Sequence, residues 1–534
     1  MRVRHYILAA TYIISLLAAC GNTPEKEEPD LPTVVTKILN ASFEDDNGET
    51  ASPKNWTVSG DRDAAKVVKG GCTGNYVLSY SQSSDYKVET QQTVTNLANG
   101  IYNLEFYYQN SGGQTACYIS AGSSPETTKM TSLHVAPNVW TQSIVRGIQV
   151  TDGRLTVSII SDAKAGNWSK FDGLSLTNMG DKSYTFLKGG DLSELSYIEQ
   201  KGGKFFENGQ EKDCFEILKN NGFNIARLRL YNDPGNPDHS PSKRLPAGIQ
   251  NPEDILRLSK RAKQAGMQIQ LTFHYSDYWT NGATQHKPHE WRDLSYENLK
   301  KAVYNFTFDF MTKMKNQGTI PEYVSLGNET GGGLLFPDGD LQHFAQMAEL
   351  FNQGYDAVKA VSPGSIVIIH LDDAGKKDKY EWYFGELNKN CAKYDMIGAS
   401  YYPFWTKMTI DVMKDWAEYI TAKFNKDIFI METGYNWNPA LPSGYPGQLS
   451  NNGPYQNIYP SSPQGQRDFL LELFTGIKMA ANGRVAGCLY WDPVMIEVPG
   501  VGWELGGANV VSNTTLFDFK GNALESLNAF KYNN

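Results

Sequence analysis

The 534-residue chain lacks the features that mark several common classes of protein. Its formal charge is −9, so it has no basic excess with which to bind phosphate, and this disfavours nucleic acid as a partner. The apolar run near the N-terminus, over 6–19, is too short to cross a membrane. No glycine-rich dinucleotide or phosphate-binding motif follows the first strand of the C-terminal region, which disfavours an open doubly wound sheet.

Cysteine is also scarce, with six in the whole chain and no spacing typical of a metal site. Cys72 and Cys117 lie in the same region and are able to pair in an oxidising compartment. Cys214, Cys391 and Cys488 are far apart in sequence, and we expect them to be buried free thiols.

The N-terminus predicts export. Arg2 and Arg4 precede the apolar run, which ends in 17-LAAC-20 and resembles the lipobox of bacterial lipoproteins. The alternative is an ordinary secretory peptide. We predict a signal peptide over 1–19, lipidation at Cys20 and an acidic, proline-containing tether over 20–32. The resemblance implies membrane attachment through this anchor only, at the cell surface (outer membrane) of a Gram-negative bacterium.

The length and pattern predict two domains. Over 33–180, short alternating runs separated by turns rich in Gly, Ser and Asn predict an all-β, jelly-roll-like sandwich. The stretches 38–46 and 168–178 resemble the two ends of carbohydrate-binding β-sandwich modules, in which the first and last strands pair and often hold calcium. Three tryptophans either stack on sugar rings or belong to the core: Trp56, Trp140 and Trp168.

Over 181–534, apolar runs alternate with helical segments, which predicts a (β/α)8 TIM barrel. A helix is expected from Asn251 to Gly266, with a cap, a proline in its first position and an apolar face, and another from Ser462 to Gly483. The eight strand candidates are 186–195, 223–231, 267–276, 323–329, 366–373, 394–403, 427–435 and 487–493.

These strands become polar at their C-terminal ends, where the active sites of barrels lie. A purely structural strand has no reason to end its apolar run in polar side chains, and seven strands share the habit. The side chains concerned are Arg229, His274, Asp277, Asn328, Glu329, Asp372, Asp373, Tyr401, Tyr402, Glu432, Trp491 and Asp492.

Glu329 and Glu432 form the best pair of carboxylates on this rim, because each directly follows an apolar strand. Glycosidic cleavage needs one carboxyl group to protonate the leaving oxygen and another to attack or stabilise the sugar. Asn328 is able to bind a sugar 2-hydroxyl. We expect Arg229, and Tyr401 through its hydroxyl, to hold a nucleophilic carboxylate ionised.

An Asn-Glu pair after strand four and a Glu after strand seven resemble the glycoside hydrolases of clan A. Several longer motifs resemble family 53, the endo-β-1,4-galactanases: 187-LKGGDLSEL-195, 225-IARLRLYNDP-234, 274-HYSDYWTNGATQHKPHEW-291, 326-LGNETGGGLLFPDG-339, 398-GASYYPFW-405, 431-METGYNW-437 and 490-YWDP-493. The resemblance implies retention, with Glu329 as acid/base and Glu432 as nucleophile. It implies that the substrate is bound by Arg229, His274, Asp277, Trp279, Lys287, Trp291, Asn328, Tyr401 and Trp491.

Further expectations concern the rim. Trp279, Trp291, Trp405, Trp437, Trp491 and Trp503 offer faces for pyranose stacking or pack the rim, whereas Trp382 and Trp416 are expected to be structural. The glycines over 331–333 are expected to let a polysaccharide approach the backbone. No metal site is predicted: zinc at His274, His286 and His289 is disfavoured. No cofactor is required, and calcium is possible but has no motif, because the loop over 436–460 lacks Asp, Glu and His.

The sequence thus favours a monomeric endo-β-1,4-galactanase whose partner is β-1,4-galactan, the polysaccharide of pectic side chains. One alternative keeps the mechanism and changes the substrate to another β-linked polysaccharide such as mannan or xylan. Another is a sugar-capturing surface lipoprotein whose barrel has lost catalysis.

Overall fold

A computed structural model describes residues 33–180 and 186–531. The predicted signal peptide, Cys20 and the tether lie outside the described residues, so these assignments stay predictions. Within the described ranges no helix combines the length and the apolar character that a membrane crossing needs.

The N-terminal part is a sandwich of two antiparallel sheets. One sheet has the order β3-β4-β11-β6-β9, with β1 paired to β11, and the other has the order β2-β5-β10-β7-β8. The first and last strands pair as predicted, with Thr33 opposite Asn178. The strands are β1 (Thr33–Val35), β2 (Thr57–Gly60), β3 (Ala65–Lys69), β4 (Tyr76–Ser81), β5 (Tyr86–Val94), β6 (Gly100–Asn110), β7 (Gln114–Gly122), β8 (Lys129–Ser132), β9 (Ala136–Val150), β10 (Leu155–Ala163) and β11 (Trp168–Asn178).

Side chains that alternate along these strands fill the space between the sheets. On β5, for example, Tyr86 and Val88 are buried and Lys87 between them is exposed. Trp56 is buried and its ring lies 5.8 Å from that of Phe43, so it is a core residue and offers no platform for sugar. Two other tryptophans, Trp140 and Trp168, are partly exposed.

The structure leaves one possible cysteine pair unformed and contradicts one expected burial. Cys72 and Cys117 are both free, because Cys72 lies on the exposed connection after β3 whereas Cys117 points into the core from the other sheet. Cys214 and Cys488 are buried free thiols, as predicted. Cys391 is exposed in the turn after a helix and is therefore not a core residue.

The remaining described chain forms a closed parallel barrel in the order β12-β15-β16-β17-β20-β21-β22-β23. These eight strands lie within or overlap the eight predicted segments, which confirms the (β/α)8 prediction. Two short hairpins, β13-β14 and β18-β19, lie between them. The bounds are β12 (Leu187–Asp191), β13 (Phe205–Glu207), β14 (Gln210–Lys212), β15 (Ile225–Leu230), β16 (Gln268–Phe273), β17 (Tyr323–Leu326), β18 (Gly333–Leu334), β19 (Gly339–Asp340), β20 (Ile366–Leu371), β21 (Met396–Ser400), β22 (Asp427–Thr433) and β23 (Val485–Tyr490).

Helices cover the outside of the barrel. α3 begins as predicted, because the Asn251 side chain accepts a hydrogen bond from the Asp254 backbone and Pro252 occupies the first turn. α9 likewise begins after a Ser462 cap. The helices are α1 (Leu195–Gln200), α2 (Cys214–Asn220), α3 (Pro252–Gln264), α4 (Tyr296–Asn316), α5 (Phe344–Val361), α6 (Lys377–Lys389), α7 (Pro403–Thr406), α8 (Ile410–Phe424), α9 (Pro463–Met479) and α10 (Asn528–Lys531).

The lumen of the barrel is a packed core. Leu187, Ile225, Ile368, Phe429 and Leu489 meet there, each from a different strand. This apolar plug leaves room for polar groups only above it, towards the C-terminal ends of the strands.

Two buried basic side chains connect the sandwich to the barrel. Arg146 of β9 donates hydrogen bonds to the backbone carbonyls of Gly483 and Val485, and Lys478 of α9 donates to the Thr131 hydroxyl. Because Val485 begins β23, these contacts attach the sandwich near the N-terminal end of that strand, away from the polar rim.

Candidate active site

Backbone strain marks the rim that the sequence identified. Four barrel strands are followed by a non-glycine residue with positive φ: Tyr275 (51°), Glu329 (46°), Asp373 (62°) and Asp492 (45°). Left-handed backbone is unfavourable for residues that carry a Cβ, and it clusters at functional sites. All four residues lie just beyond the C-terminal ends of their strands, so the strain and the carboxylates coincide.

Glu432 is buried near the end of β22, and both of its carboxylate oxygens are held. Arg227 Nη1 donates to Oε1 at 2.7 Å, and the Tyr402 hydroxyl donates to Oε2 at 3.0 Å. The carboxylate is therefore fixed in one orientation, with a guanidinium charge in direct contact.

The predicted contact between Arg229 and the second carboxylate is wrong. Arg229 lies two residues further along β15 than Arg227, and its Nη2 lies 3.1 Å from Glu194 Oε1 and 3.4 Å from Asp492 Oδ1. Its Nε lies 3.2 Å from Asp191 Oδ2. Arg229 thus neutralises a separate group of buried acids, and Arg227, one step deeper in the barrel, reaches the glutamate.

The predicted role of Tyr401 is wrong for a similar reason. Its hydroxyl donates to the Met408 backbone carbonyl at 3.0 Å, outside the cleft. Tyr402, the next residue, faces Glu432 instead, and burial together with the Glu432 charge raises its pKa well above the usual value. The phenol is therefore protonated at neutral pH and donates to the Glu432 carboxylate.

Glu329 has different surroundings. Its Oε1 accepts a 2.6 Å hydrogen bond from the Ser400 hydroxyl. Burial, and then the charges of Glu432 and Asp372, raise its pKa to about 8. One ligand atom each from Glu329, Glu432 and His370 lies within 4.8 Å of the other two. The two glutamates therefore face each other across a narrow gap, and Glu329 is protonated at neutral pH.

Asn328 is fully buried beside Glu329. Its Oδ1 accepts from Arg227 Nη2 at 2.7 Å, and its Nδ2 donates to the Thr280 carbonyl at 2.8 Å. One hydrogen of Nδ2 remains for a ligand, so the predicted contact with a sugar 2-hydroxyl stays a prediction. Gln285 supports the turn by donating to the Asn328 carbonyl at 2.8 Å.

Aromatic rings line the cleft beside the carboxylates. The rings of Trp279 and Trp503 are nearly parallel, at 8° and 6.1 Å, and Trp491 meets Trp279 edge-on at 5.3 Å. The Arg229 guanidinium lies 4.6 Å from the centre of the Trp491 ring. A cavity of about 320 Å³ lies against Arg229, Trp279 and Trp503, so the cleft continues on this side.

His274 also faces this part of the site. Its Nδ1 lies 2.7 Å from the Thr280 hydroxyl, and its Nε2 is buried without a hydrogen-bond partner in the described ranges. Burial, and then the charge of Arg229, hold its pKa well below the usual value. A neutral imidazole with one unused nitrogen is suited to a sugar hydroxyl.

Two residues predicted to line the cleft after strand three instead brace its loop. The Asp277 carboxylate is buried and accepts from the backbone amides of Asp233 and His289 at 3.0 and 2.7 Å. Lys287 forms an ion pair with Asp338 in the loop after β17. Both contacts join neighbouring loops of the rim, which lie closer together than the sequence indicated.

The other predicted tryptophans divide between core and surface. Trp291 packs on Tyr275 in the main core, so its assignment to the cleft is wrong, and Trp437 is also buried. Trp405 is 45% exposed, and its ring lies 5.0 Å from that of Tyr402. Of the two expected structural residues, Trp416 is buried and Trp382 is exposed.

The glycines after Glu329 serve packing within the protein. A Cβ at Gly332 would lie 2.1 Å from the Gly282 carbonyl oxygen in the loop after β16. Gly333 has φ 124°, and a Cβ there would lie 2.4 Å from the Gly339 oxygen. The space that we expected a polysaccharide to use is therefore filled by neighbouring backbone.

Two places in the barrel bear on metal binding: the carboxylate pair and the loop after β22. In the described part of the chain, the one group of His, Cys, Asp and Glu side chains close enough to hold an ion is Glu329, His370 and Glu432. The loop after β22 is tied by amide hydrogen bonds: the Asn452 side chain accepts from the Asn436 backbone at 2.7 Å and donates to Ser461 at 3.1 Å.

The sequence model of glycosyl hydrolase family 53 matches residues 187–530, from the first barrel strand to the last helix. This chain belongs to glycosyl hydrolase family 53. The family 53 match begins after the sandwich, so the N-terminal sheets are an addition to the catalytic fold. The predicted family and the enzyme class, a glycoside hydrolase, are confirmed.

Individual proteins agree with this family 53 assignment. The chain is 30% identical over 379 residues to an endo-β-1,4-galactanase of Bacillus subtilis (strain 168), covering 65% of this chain and 86% of that protein. It is 30% identical over 356 residues to an arabinogalactan endo-β-1,4-galactanase of Thermothelomyces thermophilus, covering 64% of this chain and 98% of that protein. The solved family 53 catalytic domain of Ignisphaera aggregans superimposes with a TM-score of 0.61 at 33% identity, covering 66% and 97%.

The sequence did not identify four residues of this family 53 site as the groups that hold the carboxylates, directly or through a neighbour. They are Arg227, His370, Ser400 and Tyr402. His370 carried a usable signal, since it interrupts the apolar run 366-IVIIHL-371 and must point into the barrel to contact the site. Ser400 carried none, because a small hydroxyl in 398-GASYY-402 is common in strands.

Proposed function

We propose that this family 53 hydrolase is an endo-β-1,4-galactanase that cleaves internal β-1,4-galactosidic bonds of pectic galactan (arabinogalactan type I). The observation that carries the proposal is the pair Glu329 and Glu432, with oxygens within 4.8 Å and contrasting partners. Carboxyl groups about 5–5.5 Å apart accompany retention, whereas about 6.5–9.5 Å accompanies inversion. The similar galactanases of B. subtilis and T. thermophilus support the choice of substrate.

In the first step, Glu329 acts as the acid, since a pKa of about 8 keeps it protonated at neutral pH. It donates its proton to the glycosidic oxygen while the Glu432 carboxylate attacks the anomeric carbon. The bond from that carbon to oxygen breaks, the leaving chain departs as an alcohol, and a galactosyl ester forms on Glu432. Arg227 and Tyr402 hold the nucleophile in line.

In the second step, the same groups exchange roles. Esterification removes the negative charge of Glu432, which is one of the causes of the raised pKa of Glu329. The pKa of Glu329 therefore falls, and its carboxylate takes a proton from water that attacks the anomeric carbon. The sugar leaves with its original configuration, and both glutamates are restored. This chemistry needs carboxylates and water and no cofactor.

The sugar rings bind along the aromatic side of the cleft. Trp279 and Trp503 offer apolar faces, and the free Nε2 of His274 bonds a hydroxyl. Arg229 acts through Trp491, over whose ring its guanidinium lies and which packs edge-on against Trp279. Every group in this scheme comes from one chain, so a monomer suffices.

The decisive experiment incubates the protein with galactan, arabinan, mannan and xylan. Internal cleavage of galactan, with chain length falling before small products accumulate, supports the proposal. Cleavage of mannan or xylan in its place would transfer the mechanism to another polysaccharide. Binding without cleavage of any substrate would identify a sugar-capturing lipoprotein instead. Early NMR spectra of the products test retention, which initial release of the inverted anomer would contradict.

We further propose that the mature protein is a lipoprotein anchored through Cys20 at the outer face of a Gram-negative outer membrane. The support is the sequence 17-LAAC-20 and the polar, acidic stretch after it. Radiolabelled palmitate is expected to enter the full-length protein and not Cys20→Ser. Extracellular protease on intact cells distinguishes the surface from the periplasm, since only a surface protein is degraded.

A further inference from the structure

A hydrogen-bonded chain leads from Glu329 into the floor of the barrel. Ser400, the last residue of β21, donates from Oγ to Glu329 Oε1 at 2.6 Å. His370 of β20 is completely buried, and its Nε2 lies 2.8 Å from the same Oγ. The histidine Nδ1 is buried and has no hydrogen-bond partner in the described ranges.

The unpartnered Nδ1 of His370 determines which atom is the donor in each of these hydrogen bonds. A buried N–H without an acceptor is rarer and more costly than a nitrogen lone pair without a donor. The imidazole hydrogen therefore lies on Nε2, which donates to Ser400, and the Ser400 hydroxyl is left to donate to Glu329. His370 is neutral, because burial and then the charge of Arg227 hold its pKa well below the usual value.

We propose that His370 and Ser400 are positioning residues that keep the catalytic proton of Glu329 on Oε2, the oxygen that no described residue binds. An oxygen that already accepts the Ser400 hydrogen is a poor site for a second one, so the acid proton stays on the other oxygen. This inference rests on the proposed function, in which Glu329 is the acid/base.

The arrangement serves both half-reactions. In the first, the proton is already on the oxygen available to the substrate, so no rotation of the carboxyl group is needed. In the second, the Ser400 hydrogen bond stabilises the Glu329 carboxylate as it accepts a proton from water. Without this bond, the proton is shared between Oε1 and Oε2, and the carboxyl group turns more freely.

Other charged and titratable groups also face Glu329. Glu432 and Asp372 raise its pKa and Arg227 lowers it. Two phenols, Tyr402 and Tyr380, also feel the Glu329 charge, and both have pKa values well above the usual range, chiefly through burial. The hydrogen bond from Ser400 lowers the pKa of Glu329. Its removal is therefore expected to raise that pKa, a change that a general loss of activity would not produce.

The test compares Ser400→Ala and Ser400→Thr with the wild type. Loss of the hydroxyl is expected to lower kcat/KM on galactan about 10- to 100-fold. For a dinitrophenyl galactobioside, whose leaving group needs no proton, the expected loss is under about 3-fold. The alkaline limb of kcat/KM against pH moves upward in Ser400→Ala, because a contact that lowers the acid's pKa is gone. Ser400→Thr keeps the hydroxyl and is expected to restore both the kcat/KM on galactan and the position of the alkaline limb.

His370 is tested in the same assay. His370→Gln retains an N–H near the position of Nε2 and is expected to keep the wild-type limb, whereas His370→Leu resembles Ser400→Ala. The matched control is Ser259→Ala, which removes a buried hydroxyl that bonds Ile255 within α3. The alkaline limb of kcat/KM against pH is expected to be unchanged in Ser259→Ala. The melting temperatures of all variants show whether a substitution lowers stability overall.

Equal losses on both substrates with an unmoved limb in Ser400→Ala would overturn the proposal and leave Ser400 a packing residue. Failure of the proposed function is a separate result, namely a wild type that cleaves no galactan. The inference is then read from the Glu329 carboxyl signal in ¹³C NMR, assigned by its absence in Glu329→Gln. A higher pKa in Ser400→Ala supports it, and an unchanged or lower pKa contradicts it.

Discussion

The two glutamates face each other across the same cleft, yet they have opposite partners. Glu432 is held by a guanidinium and a phenol, through both oxygens. Glu329 is held through one oxygen by a serine, and burial with two neighbouring carboxylates raises its pKa to about 8. One residue thereby contacts a guanidinium and the other is protonated at neutral pH, although both are glutamates at the ends of similar strands.

The difference arises from a side chain that reaches each glutamate across the barrel, from a strand that does not neighbour its own. β22 places Glu432 opposite Arg227 of β15, whose other nitrogen supports Asn328. Glu329 stands on a strained turn after β17, φ 46°, and its carboxyl group accepts a hydrogen bond from Ser400 of β21. The fold therefore separates the roles of acid and nucleophile by neighbouring side chains, without any change in residue type.

The largest expected effect comes from Glu432→Gln. Because the nucleophile is lost, kcat on galactan and on activated aryl galactosides falls together, by about 10⁴- to 10⁶-fold. Initial rates on both substrates measure this. Glu418→Gln changes an exposed glutamate of α8 and is expected to remain within about 2-fold of wild type. A loss confined to galactan would assign Glu432 to the acid role.

Glu329→Gln sharpens the contrast, because its effect depends on the leaving group. We expect kcat/KM on galactan to fall about 10²- to 10⁴-fold, with little change for a dinitrophenyl leaving group that departs without a proton. Steady-state rates on the two substrates give the ratio. Equal losses on both would mean that Glu329 acts as more than a proton donor.

Substitution of the two arginines of β15 is expected to have a smaller effect, on kcat for one arginine and on KM for the other. Arg227→Met leaves Glu432 buried without its charge partner and is expected to lower kcat about 10²-fold. Arg229→Met removes support from Trp491 and is expected to act mainly on KM. Michaelis–Menten constants separate the two. If Arg229→Met lowered kcat more than Arg227→Met, the assignment of partners would be reversed.

The pH dependence offers the next test. Glu329 works as an acid only when protonated, so kcat/KM is expected to decline as pH rises through about 8. In Glu432→Gln the neighbouring charge is absent, and the pKa of Glu329 is expected to fall; ¹³C NMR of the labelled carboxyl group measures it. An unchanged value in this variant would show that the two glutamates are not coupled.

The smallest effect concerns stability. The pKa of Glu329 is raised in the folded protein, so the native state binds its proton more tightly than the unfolded chain. Stability is therefore lost as pH rises from about 4.5, the value in the unfolded chain, to about 8. Glu329→Gln removes this slope, and its melting temperature is expected to exceed that of the wild type by more at pH 8 than at pH 5. Calorimetry at both values measures the difference, which an equal offset would contradict.

Much of this site could be predicted from sequence, because strand ends meet at one rim of a barrel. The eight strands, the rim and the pair Glu329 and Glu432 followed from periodicity and motif. The partners did not. Arg227 and Arg229 lie two residues apart and face the same side of β15, so only their depth in the barrel decides which one reaches Glu432.

The remaining misses concern residues at junctions. Tyr401 and Tyr402 follow the last strand residue, where the alternation of a strand no longer predicts direction. Trp291 and Gly332 depend on how the loops after β16 and β17 pack against each other, a long-range contact that no local pattern encodes. Sequence thus predicted the chemistry better than the contacts that tune it.

The most direct test of the account is to trap the sugar on its nucleophile. A 2-deoxy-2-fluoro-galactobiosyl fluoride, which needs no acid to leave, is incubated with wild type and with Glu329→Gln, and the labelled peptide is identified by mass spectrometry. One adduct, on Glu432, is expected in both proteins. An adduct on Glu329 in the wild type would contradict the assigned roles, and release of product with inverted configuration would contradict the covalent mechanism.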